Sequence, residues 1–229
     1  MAEVDEICAK HDRLWSARQG GARAVFAFKD LSGADMRGRN LCDADFTGCV
    51  AVGCDFTGAR LDNATLFGVD FHDAVMVDTS MRRSDLRGAS LRGANLCGAD
   101  LFEADLREGA IATADRKAGY RMVEHQSRSS ETAGANLSGA NLQRSKLSGV
   151  MAQRADFSGA MMKDCKLVRA NLKQCNLEGA DLAGADLSGA DLAGADRIER
   201  PHLAEAASDL QAQSARSASD QCDLAAQFE

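Results

Sequence analysis

Residues 179–196 read GADLAGADLSGADLAGAD, one five-residue unit written over and over. Upstream, the large apolar residue of that unit recurs at Leu177, Leu172, Leu167, Met162, Phe157, Leu147, Leu142 and Leu137, with Ala152 as the one gap. An earlier block keeps the same period one residue out of phase. It runs from Phe26, Leu31, Met36, Leu41 and Phe46 through Phe56, Leu61, Leu66, Phe71, Met76, Met81, Leu86, Leu91, Leu96, Leu101 and Leu106, with Ala51 as its gap. Two residues before each large position the chain prefers something small, as at Ala34, Ala44, Cys54, Ala64, Ser84 and Ala89. A period this persistent decides the fold before any single helix or strand is considered.

Five residues on an α-helix turn through about 500°, so successive large positions would wander by ~140° and leave no apolar stripe. In an extended chain, residues two apart share a face. The small and large residues then point inward together and the Asp or Asn between them points out. Glycine recurs two residues after the large position, as at Gly33, Gly48, Gly139 and Gly184. A corner with positive φ is cheap for a residue without Cβ, and regular corners close the chain into a coil.

These residues resemble the pentapeptide-repeat family, whose consensus is A(D/N)Lxx, over roughly residues 24–111 and 133–196. The resemblance implies an all-β solenoid, a right-handed quadrilateral β-helix with four units in each coil. With coils ~4.8 Å apart the rod would be about 36 Å long. Large side chains twenty residues apart would stack, which places Phe26, Phe46, Leu66, Leu86 and Leu106 in one internal column.

A solenoid exposes an apolar end at each terminus and needs a cap. Residues 1–20 are expected to form a short N-terminal capping helix, with Val4, Ile7, Cys8, Leu14 and Trp15 on its apolar face and Gly20 and Gly21 ending it. The repeat then occupies 21–111 and 133–196. Lys29 and Arg39 stand at small inward positions near the first end; they either line a pocket there or reach solvent or a carboxylate of the capping helix. Residues 197–229 form a tail that is helical or disordered, both readings being open.

The interruption at 112–132 is too long for a corner. It reads as a protruding loop or a tolerated insertion, and its Arg116, Lys117, Tyr120, Arg121, His125 and Arg128 are candidate partner-binding residues.

Chemistry is harder to find. His11, His72, His125 and His202 stand in four separate contexts, and the sequence holds no P-loop, G-x-S-x-G or H-E-x-x-H motif. No catalytic residue, cofactor or metal site is expected. Among eight cysteines there is no CxxC pair; Cys49, Cys54, Cys165 and Cys175 take the small inward position, whereas Cys42 and Cys97 fall at outward ones. Free buried thiols fit a reducing compartment. With no apolar stretch of membrane-spanning length and no secretory leader, a cytoplasmic protein is the expectation.

Function is therefore sought on the surface. The net charge of −7 is uneven: residues 21–111 carry 10 positive and 14 negative residues, and 133–196 carry 7 of each. Glu178, Asp181, Asp186, Asp191 and Asp196 would form an acidic collar around the last coil. Val50, Val52, Phe67, Val75, Val77, Phe102, Met151 and Met161 are apolar at outward positions where the repeat does not need them, and would mark an interface if clustered.

The reading favoured is a non-enzymatic scaffold or adaptor for an unidentified protein. The resemblance supplies an alternative, since some pentapeptide-repeat proteins mimic duplex DNA, bind DNA gyrase and give quinolone protection. A structural spacer or accessory domain is the third reading. No membrane and no direct nucleic-acid contact are expected, and the tail is a candidate homodimer contact. A duplex carries one negative charge per ~1.7 Å, far more than these repeats offer. Asp85 and Asp105, moreover, should stack beside Arg87 and Arg107 and be neutralised.

Overall fold

In the computed structural model, the described residues are 2–110, 127–128 and 130–196. The repeating element is a turn. In each unit the N–H of the small residue donates to the carbonyl of the preceding large residue, as from Ala34 to Leu31 at 2.8 Å. The residue before that small one has positive φ, +70° at Gly33 and +59° at Phe28. A type II turn demands that sign at its third position.

Asp or Asn recurs for a reason that alternation alone does not give. The carboxylate or amide oxygen accepts the backbone N–H two residues on, as Asp55 does from Thr57 at 2.9 Å and Asn136 from Ser138 at 3.0 Å. This Asx turn satisfies an amide facing away from the core.

Successive coils join through parallel bridges at a step of twenty residues, in four rows that begin Val25↔Asp45, Asp30↔Val50, Asp35↔Asp55 and Asn40↔Arg60. Each bridge is flanked by reciprocal hydrogen bonds, such as Leu31 N to Val50 O at 2.7 Å and Val50 N to Lys29 O at 2.9 Å. The bridges stay isolated because each unit leaves only a short extended piece between two turns. The only strands longer than one residue among the described residues are β1 (Gly109–Ala110) and β2 (Ser127–Arg128), which pair antiparallel. Among the described residues the solenoid is therefore a four-sided coil whose turns are joined by single-residue parallel bridges.

One continuous apolar core runs through all the coils. Phe26 and Phe46 stack with centroids 4.7 Å apart, as their shared column requires. The two Ala gaps are volume compensations. Ala51 lies between Phe46 and Phe56, whose rings meet edge to face at 6.1 Å, and Ala152 is followed by the buried Phe157.

Helix α1 (Ala2–Trp15) packs on the first end of the core through Val4, Ile7 and Cys8. The buried face differs from the expected one. His11 is fully buried, whereas Leu14 and Trp15 are about half exposed, at 47% and 48%. The helix docks on the stripe i, i+3, i+4 through Val4, Ile7, Cys8 and His11, and Leu14 and Trp15 lie past the edge of the coil. Cys42 is buried too, although its position in the unit is outward. Beyond the helix the chain folds back, Ala22 N donating to Lys10 O at 3.0 Å. A Cβ on Gly21 would collide with the Arg13 and Leu14 backbone there, so only glycine fits.

Across the interruption the register survives. The four bridges Ser90↔Glu131, Asn95↔Asn136, Asp100↔Asn141 and Asp105↔Lys146 step by 41, where the rest step by 20. The unit resumes at Ser130, Glu131 and Thr132, inside the stretch the sequence assigns to the interruption. That unit escapes notice because serine takes the small position and threonine the large one. Thr132 is fully buried, and its hydroxyl finds no partner among the described residues.

Candidate interaction surfaces

Every regular position is committed to the coil, so the surfaces available for recognition are built from exceptions. The first is the neck of the insertion. Its ends leave the coil after Glu108 and return at Ser130, and Gly109 pairs with Arg128 across the gap. Ser130 ties the neck down: its hydroxyl donates to the Arg107 carbonyl at 2.8 Å and accepts from the Gly88 amide at 3.0 Å. Gly109 presses so closely on the Arg87 backbone and the Phe67 ring that a Cβ would lie 2.9 Å from each. Arg87 covers the same ring at 5.3 Å. Phe67 is therefore a platform for the neck. Arg116, Lys117, Tyr120, Arg121 and His125 lie outside the described residues, and of Arg128 only the backbone is placed.

A second surface surrounds Phe102. Arg82 lies 4.7 Å and Arg144 5.8 Å from its ring centroid. Arg82 also pairs with Asp100 at 2.6 Å, while Glu103 is held between Arg83 at 2.9 Å and Arg144 at 3.0 Å. The Arg83 hydrogen bond, then the charges of both arginines, keep the Glu103 carboxyl below its ordinary range. Phe102 is consequently half-buried under cations.

The other apolar candidates do not gather. Val50 and Met151 stand in the Asp30 row four bridge steps apart, Val75 in the Asp35 row and Met161 in the Asn40 row. Val52 and Val77 are half-buried. A single apolar patch is not formed by these residues.

Asp181, Asp186 and Asp191 bridge in three different rows of the last coil, and Asp196 donates its N–H to the Cys175 carbonyl in the fourth. Its acids are partly committed, however. Asp181, Asp186 and Asp191 each accept a backbone amide two residues on. Lys173 also pairs with Asp191 at 3.0 Å. The Ser188 hydroxyl and amide, with the charge of Lys166, lower the Asp186 carboxyl. Glu178 stands exposed one coil corner away.

Arginine ladders neutralise the earlier coils. Arg87 grips Asp85 with two bonds, of 2.8 and 2.7 Å, and Arg107 grips Asp105 with bonds of 2.9 and 2.7 Å. Burial alone would raise the Asp105 carboxyl, and the Arg107 bonds and charge outweigh it, so it sits low. Arg37 and Asp35 repeat the arrangement.

One surface was not read from the sequence. An open groove of about 920 Å³ runs along the outside of the Asp30 row, lined by Arg92, Glu131, Gln153, Arg154, Lys173 and Gln174 over a floor of Ala133, Gly134, Ala193 and Gly194. Arg154 Nε donates to Gln174 Oε1 at 2.9 Å, leaving its charge uncompensated by that partner. The signal was available only by writing the chain in coils of twenty, with the insertion removed, which brings Arg92, Arg154 and Lys173 side by side.

Thiolate formation is opposed at the inward cysteines Cys49, Cys54, Cys165 and Cys175. Burial pushes the Cys49 and Cys165 thiols up to about 12 and Cys175 to about 11, and Cys54 donates to the Leu31 carbonyl at 2.8 Å. The described cysteines are all free. Among the described residues no cluster of His, Cys, Asp or Glu could hold a metal ion, and no helix is long and apolar enough to cross a membrane.

Pentapeptide repeats match residues 30–68, 64–102, 133–167 and 165–196, more than half of the chain. Among solved structures, HetL, a pentapeptide repeat protein involved in heterocyst differentiation regulation from the cyanobacterium Nostoc sp. strain PCC 7120, is 26% identical. That alignment covers 76% of this chain and 82% of HetL, with a TM-score of 0.29. QnrB1, a plasmid-mediated fluoroquinolone resistance protein, is 19% identical over 81% of this chain and 99% of its own, with a TM-score of 0.41. Rfr23 from the cyanobacterium Cyanothece 51142 is 15% identical over 83% and 95%, with a TM-score of 0.20. No curated protein matches the sequence. On the strength of the repeat match and the unbroken register of its bridges, the chain belongs to the pentapeptide-repeat family.

Proposed function

We propose that this protein is a non-enzymatic interaction scaffold, a right-handed four-sided β-helix that presents one insertion to a protein partner. The observation that carries the reading is the neck at Gly109 and Ser130, where both ends of the insertion are tied to the coil while the register continues beneath it. Loops on rigid frames are where recognition concentrates. The Asx turns, stacked core and arginine ladders account for the regular residues without assigning them chemistry. Free thiols in the coil support a reducing, cytoplasmic setting.

Affinity capture from the cell of origin, with partners identified by mass spectrometry, tests this. A stoichiometric protein partner supports it, and recovery of gyrase subunits would select the quinolone-protection alternative instead. Recovery of nothing above background would leave the structural spacer.

A further inference from the structure

Three backbone amides along one side of the coil lack the acceptor that the repeat supplies elsewhere. In the Asp30 row, Asp70 accepts the His72 N–H at 3.1 Å, and further along Asn171 and Asp191 accept those of Lys173 and Ala193 at 3.3 and 3.1 Å. The units between them, joined by the bridges Asp70↔Ser90↔Glu131↔Met151↔Asn171, hold no Asp or Asn at that position. The N–H groups of Arg92, Ala133 and Gln153 consequently find no acceptor among the described residues. They stack at a coil step of about 4.8 Å. No other row leaves three successive units open among the described residues. All three residues line the open groove of about 920 Å³.

Unpaired cations line the same groove. Arg92 makes no ion pair or hydrogen bond among the described residues, and Arg154 bonds only the Gln174 carboxamide. Each end of the run thus combines one free amide with one guanidinium, at Arg92 and at Gln153–Arg154. A carboxylate satisfies both donors at once. Glu131 stands in the coil between the two arginines and pairs with neither.

We infer that the groove receives an acidic, extended segment of a protein partner. Its carboxylates take the place of the missing Asp or Asn at the Arg92 and Gln153 amides and pair with Arg92 and Arg154. Between them, the segment's backbone accepts from the Ala133 amide and donates an N–H to Glu131. A phosphate chain has no such donor and would meet Glu131 as a like charge, so a nucleic acid fits less well. Met151, 36% exposed beside these amides, adds apolar contact that a peptide can use. The inference rests on the groove alone and does not depend on what the insertion engages.

A fluorescein-labelled octapeptide of alternating Glu and Ser is the probe, its anisotropy read against the full chain at low salt. Alternate residues of an extended chain share a face, so its carboxylates meet the groove together. Ser90→Asn/Glu131→Asn/Met151→Asn gives each amide the repeat's own acceptor and also removes one negative charge. Charge attraction alone would make this variant bind more tightly, whereas occupied amides should weaken binding about tenfold. Added Asx turns favour the coil, so the variant should keep the parent's circular dichroism and melting temperature. In the parent, the Arg92, Ala133 and Gln153 amide resonances should shift as peptide is added. Equal or tighter binding by the triple variant would overturn the inference, as would unmoved amide resonances at about 1 mM peptide. Equally tight binding of an oligothymidylate of the same charge would also overturn it, by making the groove a general polyanion site.

Discussion

Arg39 reaches across 34 residues of chain to Asp5, its Nη2 2.7 Å from the carboxylate Oδ1, and Lys29 makes the same contact with Glu3. Both cations occupy positions where the unit places alanine. Neither is buried as a charge, because α1 brings a carboxylate to each. The pairs are open to solvent and screened by it, so each contributes little alone. The double reversal Glu3→Lys/Asp5→Arg should speed hydrogen exchange throughout α1 and lower Tm by a few degrees. Adding Lys29→Glu/Arg39→Asp should restore both. Unchanged exchange in the double reversal would mean that the apolar face alone holds the cap.

His11 makes the same junction sensitive to acid. Its Nδ1 accepts the Ala24 amide at 3.0 Å, which requires the neutral ring. Burial lowers its pKa below the ordinary 6.5, outweighing the Cys42 backbone and the Asp12 and Asp43 carboxylates. With the folded value depressed, the unfolded or undocked state binds the proton first. The stabilisation is fully present above pH 6.5 and is lost as pH falls through the folded value. Trp15, 6.4 Å from His11, is the only tryptophan, and its fluorescence should report undocking of α1 between pH 7 and 5. In His11→Asn, which keeps an acceptor but does not titrate, the transition should disappear from that range.

Ala51 is small because Phe46 and Phe56 meet across it. Ala51→Leu would restore the family pattern and yet overpack the coil, with a loss of about 1–3 kcal/mol in urea unfolding. Phe56→Leu in the same chain should recover most of it. Stabilisation by Ala51→Leu alone would show that the position is an unfilled cavity.

The periodic part of this fold was legible because one residue type repeats one physical role. Leu31 or Leu172 needs no context to be placed inside, and for Lys29 and Arg39 the cost of burying a charge left a carboxylate of the capping helix as one of the open outcomes, beside solvent or a pocket. What escaped depends on rotation or on coil stacking. The face of α1 was misjudged at Leu14 and Trp15 because a docked histidine reads as polar. Thr132 hid the resumption of the repeat because it shares neither the size nor the polarity of leucine. Phe67 and Phe102 were legible as outward, but their cover of arginine and neck comes from neighbouring coils. The groove at Arg92, Arg154 and Lys173 joins residues far apart in the chain.

Removing residues 109–129 would join Glu108 to Ser130 and give the coil an uninterrupted step of 20. That deletion separates frame from recognition. The shortened protein should match the parent in circular dichroism and melt at the same temperature or slightly above, since none of the described core residues lies within 109–129. Quantitative capture of the partner by this variant, beside the full chain at equal concentration, is the most direct measurement. A folded variant that has lost the partner is the predicted result; one that retains it at full yield would contradict the placement of recognition in the insertion.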